Sequence, residues 1–172
     1  EGGSALGPFT GNGRILLPPG QPAMIQVDAL NVSGSRASGA LRSDPGGFTG
    51  QLDVDGGGLS GRLTFSPVGQ NQRIAVDLRA VDARFAGPPP ILMRRGTITG
   101  VVILDPAGTS IEGRVVARGL SRGPLYLASL DAQASLRGGT GRITARIAGS
   151  RGRGFAFNLA ADVSEGRYRV TG

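Results

Sequence analysis

One three-residue motif constrains the fold of this chain more than any other feature: glycine, then arginine, then a β-branched residue or leucine. It reads Gly13-Arg14-Ile15, Gly61-Arg62-Leu63, Gly113-Arg114-Val115 and Gly141-Arg142-Ile143, with looser copies at Gly50-Gln51-Leu52 and Gly100-Val101-Val102. After most copies, every second residue is apolar. That is the side-chain period of a β-strand and not the 3.6-residue period of a helix. A chain that repeats this opening is a ladder of similar strands, and its function is to be sought on the surface the ladder makes.

The alternation can be followed along the chain. Strand-like runs occupy 13–17, 23–32, 38–43, 47–54 and 58–66, then a long run over 73–85, and further runs at 96–104, 109–118, 125–136, 142–147, 155–163 and 168–170. The turn signals Pro18-Pro19-Gly20, Asp44-Pro45-Gly46-Gly47 and Asp55-Gly56-Gly57-Gly58 separate the early ones. About twelve strands at spacings of about 8–15 residues predict an all-β fold. The apolar register shifts near Ala80 and again near Ala128, which predicts a bulge or bend at each place. Gly87-Pro88-Pro89-Pro90 is the clearest break, either a boundary between two sheets or a long loop. We expect one repetitive β domain over 1–172. Because the chain opens on Glu1 and not on Met, we expect it to be a segment of a longer protein.

Composition narrows the chemistry. The chain has no cysteine and no histidine, which removes thiol nucleophiles, disulfides, imidazole bases and most transition-metal sites. Gly119-Leu120-Ser121-Arg122-Gly123 has the letters of a hydrolase nucleophile elbow, but no histidine can deprotonate its serine. Asp53-Val54-Asp55-Gly56 resembles the start of a calcium loop, yet Thr64 stands where the bidentate glutamate belongs. The carboxylates are single and interleaved with arginines, so no paired-acid site is expected. The expectation is a non-enzymatic protein without metal or cofactor. All nineteen basic residues are arginine and the net charge is +7. These arginines are spread along the strands without aromatic platforms or a recognition-helix pattern, so a solvated outer face is expected and a nucleic-acid partner is not.

The stretch LYLASLDAQASLRGGTGRITARIAGSRGRGFAFNLAADVSEGRYRVTG over 125–172, with GGLSGRLTF and GTITGVVIL upstream, resembles the repetitive β region of the TamB (translocation and assembly module) family, within the AsmA-like group. The resemblance rests on repeat texture and is strongest in the last fifty residues. It implies a periplasmic protein of a Gram-negative envelope, held in the inner membrane by an N-terminal anchor outside this segment. Its stacked strands would curl into an open trough, or β-taco, with an apolar interior. It also implies phospholipid acyl chains as cargo between the membranes, and an outer-membrane assembly partner met through parts outside this segment. The family has no catalytic residues to carry over.

Two architectures would hide the apolar face: a curled sheet with an open apolar lane, or a closed β-sandwich filled with side chains. The residues in phase within the alternating runs are Leu59, Leu63, Phe65, Ile74, Val76, Leu78, Ile143, Ile147, Phe155, Phe157, Leu159 and Val163, and we expect these to line the apolar interior. Two other functions compete with lipid shielding. One is a chaperone-like scaffold that pairs nascent outer-membrane strands at a sheet edge. The other is a structural or adhesive β-solenoid, which the uneven strand spacing disfavours.

Overall fold

The computed structural model describes residues 2–4, 7–32, 34–164 and 167–171; Glu1 lies outside them. Thirteen strands run through the described residues: β1 (Gly2–Ser4), β2 (Gly7–Leu16), β3 (Met24–Val32), β4 (Ser35–Asp44), β5 (Gly47–Gly56), β6 (Leu59–Val68), β7 (Asn71–Phe85), β8 (Ile91–Leu104), β9 (Ser110–Arg122), β10 (Leu125–Arg137), β11 (Thr140–Arg151), β12 (Arg153–Ser164) and β13 (Arg167–Thr171). All belong to one antiparallel sheet whose spatial order is the sequence order. The fold is therefore all-β and is a single open sheet. Its outermost strands do not pair with each other, so it is not a barrel, and among the described residues there is no second sheet to make the closed sandwich. Beyond sequence neighbours, the main approaches are β4 to β6 and β5 to β7, as a curling sheet requires.

Two stretches are more strand-like than their sequence. Gly7–Asn12 has no apolar alternation, yet it extends β2 because β3 offers a ladder from Ala29 to Val32. Ile91–Arg95 joins β8 for a different reason. The apolar phase there reverses within two residues, which breaks the pattern without breaking the strand. The Gly87–Pro90 segment is the loop of the β7–β8 hairpin, with Phe85 directly paired to Ile91.

The register shifts expected near Ala80 and Ala128 belong to one feature. In β7, Asp82 adopts φ +49 and takes no ladder partner, and in β8 Arg94 stands opposite it in the same gap. Gly119 of β9, at φ +64, faces Arg94 on one side and Ala128 of β10 on the other, and the irregularity is absorbed between β10 and β11. The four positions form a continuous crease across β7–β10. Each residue of the crease inverts the phase of its strand, so the apolar face stays on one side of the sheet.

Burial shows which way the crease bends. Ala80 and Ala83, on either side of it, are each 1% exposed, and they cluster with Met93 and Ala117 under Leu59, Phe85, Leu120 and Leu130. The sheet thus closes over its apolar face, with Met93 and three alanines filling the corner. Beyond the crease, Val81–Phe85 outruns β6 and would leave a bare edge. The β5–β6 turn covers it: the Val81 N–H donates to the Gly58 carbonyl (2.8 Å) and the Arg84 N–H to that of Gly57 (3.1 Å). A second apolar cluster forms around Ala37, Leu41 and Leu52.

Elsewhere the apolar face remains largely accessible. Among the described residues ten hydrophobic ones are buried, six of them alanine, and no large side chain is fully buried. The accessible surface is 11121 Å², against about 7,900 Å² for a compact monomer of this mass. The surplus of about 3,200 Å² is what a one-layer sheet leaves uncovered. Because the corner is filled and the outer face is not, Ala117→Leu should destabilise the protein by about 1–3 kcal/mol. Ala156→Leu, on an exposed polar-face position of β12, should stay within about 0.5 kcal/mol. Urea denaturation of the two variants checks this, and equal effects would remove the crease as a packed corner.

Candidate functional site

Directly paired residues of neighbouring strands share a face, so the ladder register assigns every side chain. All twelve residues expected in the interior lie on one face, in two blocks. In β6–β7, Leu63 pairs with Val76, Phe65 with Ile74, Gly61 with Leu78, and Leu59 with Ala80. In β11–β12, Ile147 pairs with Phe157, Ala145 with Leu159, Ile143 with Ala161, Gly149 with Phe155, and Gly141 with Val163. None of the twelve is fully buried. Phe157 is 46% exposed, and Phe155 and Phe157 stack at 5.4 Å between ring centroids.

Sequence reasoning missed what joins the two blocks. Ile98, Val102, Ile111, Val115, Leu130 and Leu136 of β8–β10 continue the same face, as the pairs Leu78↔Ile98, Ile98↔Val115, Val102↔Ile111 and Leu130↔Ile147 require. Their alternation was partly masked, because Val101, Ile103 and Val116 place apolar residues on the opposite face as well. On the other side, Ile25, Leu41 and Leu52 carry the face on through β3–β5, so it runs from β2 to β13 without a break.

The face has relief. One row of paired residues crosses the strands as Gly100, Gly113 and Ala134, then Ile143. Two residues away along each strand, about 7 Å, stand the bulkier rows Ile98–Val115 and Val102–Ile111–Leu136. A shallow lane floored by small residues therefore crosses three strands, β8–β10, and is bounded by Val76 of β7 and Ile143 of β11.

The recurring triplet now has a structural meaning. Its glycine and its third residue lie on the apolar face, and its arginine lies on the other. Gly61, at φ +143, and Gly141, at φ +149, adopt a conformation L-residues rarely take. A Cβ at either would collide with the neighbouring strand's backbone, at the carbonyl oxygens of Asp77 and Ser135 respectively. Each triplet arginine reaches an aspartate on an adjacent strand: Arg14–Asp28 at 3.6 Å, Arg62–Asp53 at 2.8 Å, Arg114–Asp131 at 2.6 Å and Arg142–Asp162 at 3.6 Å. The Arg114 guanidinium donates twice to the Asp131 carboxylate, from Nε at 2.9 Å and from an Nη at 2.6 Å.

A depression of about 660 Å³ opens on this polar face, between Arg114, Asp131, Gln133, Thr144, Arg146, Asn158 and Thr171. Among the described residues no group of three or more acidic side chains could hold a metal ion. No protein-family profile, curated protein or solved structure matches this chain.

The hydrogen bond from Arg114 holds the Asp131 carboxyl below its ordinary value of 3.8, with the charges of Arg114 and Arg146 acting in the same direction and partial desolvation opposing. A depressed folded-state pKa gives stabilisation that is present above the unfolded value and lost as pH falls through the folded one. Carboxyl-detected NMR titration should place the Asp131 midpoint below 3.8. In Arg114→Gln the midpoint should move back toward that value. An unshifted wild-type midpoint would mean the pair does not hold in solution.

Proposed function

We propose that this chain is a segment of a periplasmic bridge protein that shields phospholipid acyl chains on its apolar face as they pass between the inner and outer membranes. In the full-length protein the same sheet would support outer-membrane protein assembly. The observation that carries this reading is the uninterrupted apolar face, unmatched by any second layer among the described residues. The TamB-like repeat texture of 125–172 gives it its direction. A face of this kind is not left to water without cost, and each acyl methylene removed from water against it contributes about 0.8 kcal/mol. The lane over Gly100, Gly113 and Ala134 lies across β8–β10, so an acyl segment in it would lie across those strands between Val76 and Ile143. No group in the site is required to do covalent chemistry, and the reading is non-enzymatic.

Lipid extraction and native mass spectrometry of the purified protein test this. Wild-type protein should carry phospholipid. Ile147→Asp and Phe157→Asp should fold and lose it, because neither side chain is fully buried and a carboxylate there meets water in the lipid-free state. Arg142→Asp, on the other face, should keep both fold and lipid, since an exposed ion pair such as Arg142–Asp162 is worth about 0–1 kcal/mol. Lipid-free wild-type protein would overturn the proposal. Crosslinking of an extended β-peptide to the terminal strands would redirect it toward the chaperone-like scaffold.

A further inference from the structure

We propose that the outer side of the crease is a binding site for a small phosphate ester. Two adjoining depressions lie there. One of about 280 Å³ is lined by Arg94, Arg95, Arg118 and Tyr126, with Gly119 and Ala128 at its floor. The other, of about 490 Å³, is rimmed by Arg79, Arg95, Thr97 and Arg118 and also lined by Val81 and Val116, with Ala80, Gly96 and Ala117 between them. Arg95 and Arg118 are common to both, and they are directly opposite each other on β8 and β9. Like charges in that cross-strand position repel at about 4.5–5.5 Å between Cβ atoms.

The contrast with the triplet arginines gives the site its meaning. Every triplet arginine has an aspartate partner, and the depressions near Arg114, Arg62 and Arg142 each include a carboxylate, from Asp131, Asp77 or Glu112. Neither crease depression includes one. Among the described residues, Arg79, Arg94, Arg95 and Arg118 form no ion pair, although Asp82 lies in the crease itself. Four exposed guanidinium groups around two linked hollows are a counter-charge for a multiply charged oxyanion. The planar guanidinium fork matches phosphate oxygens in pairs. The hollows suit a headgroup-sized ester better than a polymer backbone, which would need a continuous groove and several stacking aromatics where this site has Tyr126 alone. The site is on the face opposite the acyl-chain lane and does not rest on that reading.

Tyr126 is the reporter. The chain has two tyrosines and no tryptophan, so Tyr168→Phe leaves Tyr126 as the only strong intrinsic fluorophore. Titration of that protein with inorganic phosphate, with ionic strength balanced by sodium chloride, should give a saturable change in Tyr126 emission and a rise in Tm. Arg95→Gln combined with Arg118→Gln should weaken the response at least tenfold while leaving the ligand-free Tm unchanged or higher, because the substitutions relieve a repulsion. Arg142→Gln should leave the response as it was. Co-sedimentation with phosphatidylglycerol vesicles, against phosphatidylcholine vesicles, separates the two sources. Capture that depends on Arg95 and Arg118 assigns a lipid headgroup, and a phosphate response without capture assigns a free ester. Ile147→Asp and Phe157→Asp should retain the phosphate response, so failure here is distinguishable from failure of the lipid lane. The proposal is overturned if chloride gives the same response, if the double variant responds like the parent, or if a single-stranded oligonucleotide binds more tightly than either phosphate source.

Discussion

One-sidedness is the constraint on which the rest of this structure depends. With a single sheet and no second layer, every apolar contact must form on one face. A one-residue slip between any two strands would send an entire hydrophobic set to the other side. Register therefore has to be specified strand by strand along the whole chain. The triplet does this locally. Its arginine can find its aspartate only when the neighbouring strand is in phase, and at Gly13, Gly61 and Gly141 its glycine tolerates a neighbouring carbonyl that a Cβ would strike. Each exposed ion pair contributes little energy, so its value lies in which pairing it permits.

Neighbour-only connectivity has a second consequence. Nearly all long-range contact is between consecutive strands, which gives the sheet the quasi-one-dimensional energetics of a repeat protein. Stability is then close to a sum of hairpin terms, and folding can begin at any well-packed hairpin and spread. The crease is the exception, since Ala80, Ala83, Met93 and Ala117 come from three strands and bury one another almost completely. The hairpins around β7–β9 accordingly hold the most tightly packed contacts. The outermost strands keep exposed apolar residues such as Ile15, Tyr168 and Val170.

Much of this was legible in the sequence, because period-two alternation is a direct record of which side of a sheet a residue faces. Leu63, Val76, Ile147 and Phe157 could be placed on one face from phase alone. Ile98 and Val115 could not, because Val101, Ile103 and Val116 blur the phase around them. The long-range meaning of the register shifts was also hidden. Ala80 and Ala128 each signalled an irregularity, but only pairing reveals that Asp82, Arg94, Gly119 and Ala128 line up as one fold in the sheet. The Gly-Pro-Pro-Pro stretch was the reverse case, a loud local signal for what is only a hairpin loop. The aspartate partners of the triplet arginines were equally out of reach, since strand pairing and not sequence spacing brings Asp53 to Arg62 and Asp131 to Arg114.

The two faces of the crease follow from the same backbone irregularity. A residue that takes no ladder partner lets a strand present Met93 inward and Arg95 outward only two positions apart, with Arg94 between them. On the inner side this gathers small residues into a corner that closes the sheet. On the outer side it spreads the arginines of three strands around a convex bend, where none of them forms the ion pair with an aspartate that each triplet arginine makes. The outward charge concentration is thus a geometric product of the inward packing. A substitution that flattened the crease would have to disturb both, exposing Ala80 and Ala117 while changing the spacing of Arg79, Arg95 and Arg118. Gly119 is where the two demands meet: its φ of +64 permits the bend, and a Cβ there would strike the side chain of Arg94. The sheet can therefore curl over its apolar face only by fanning its arginines outward, and any ligand that draws those arginines together acts on the curl as well.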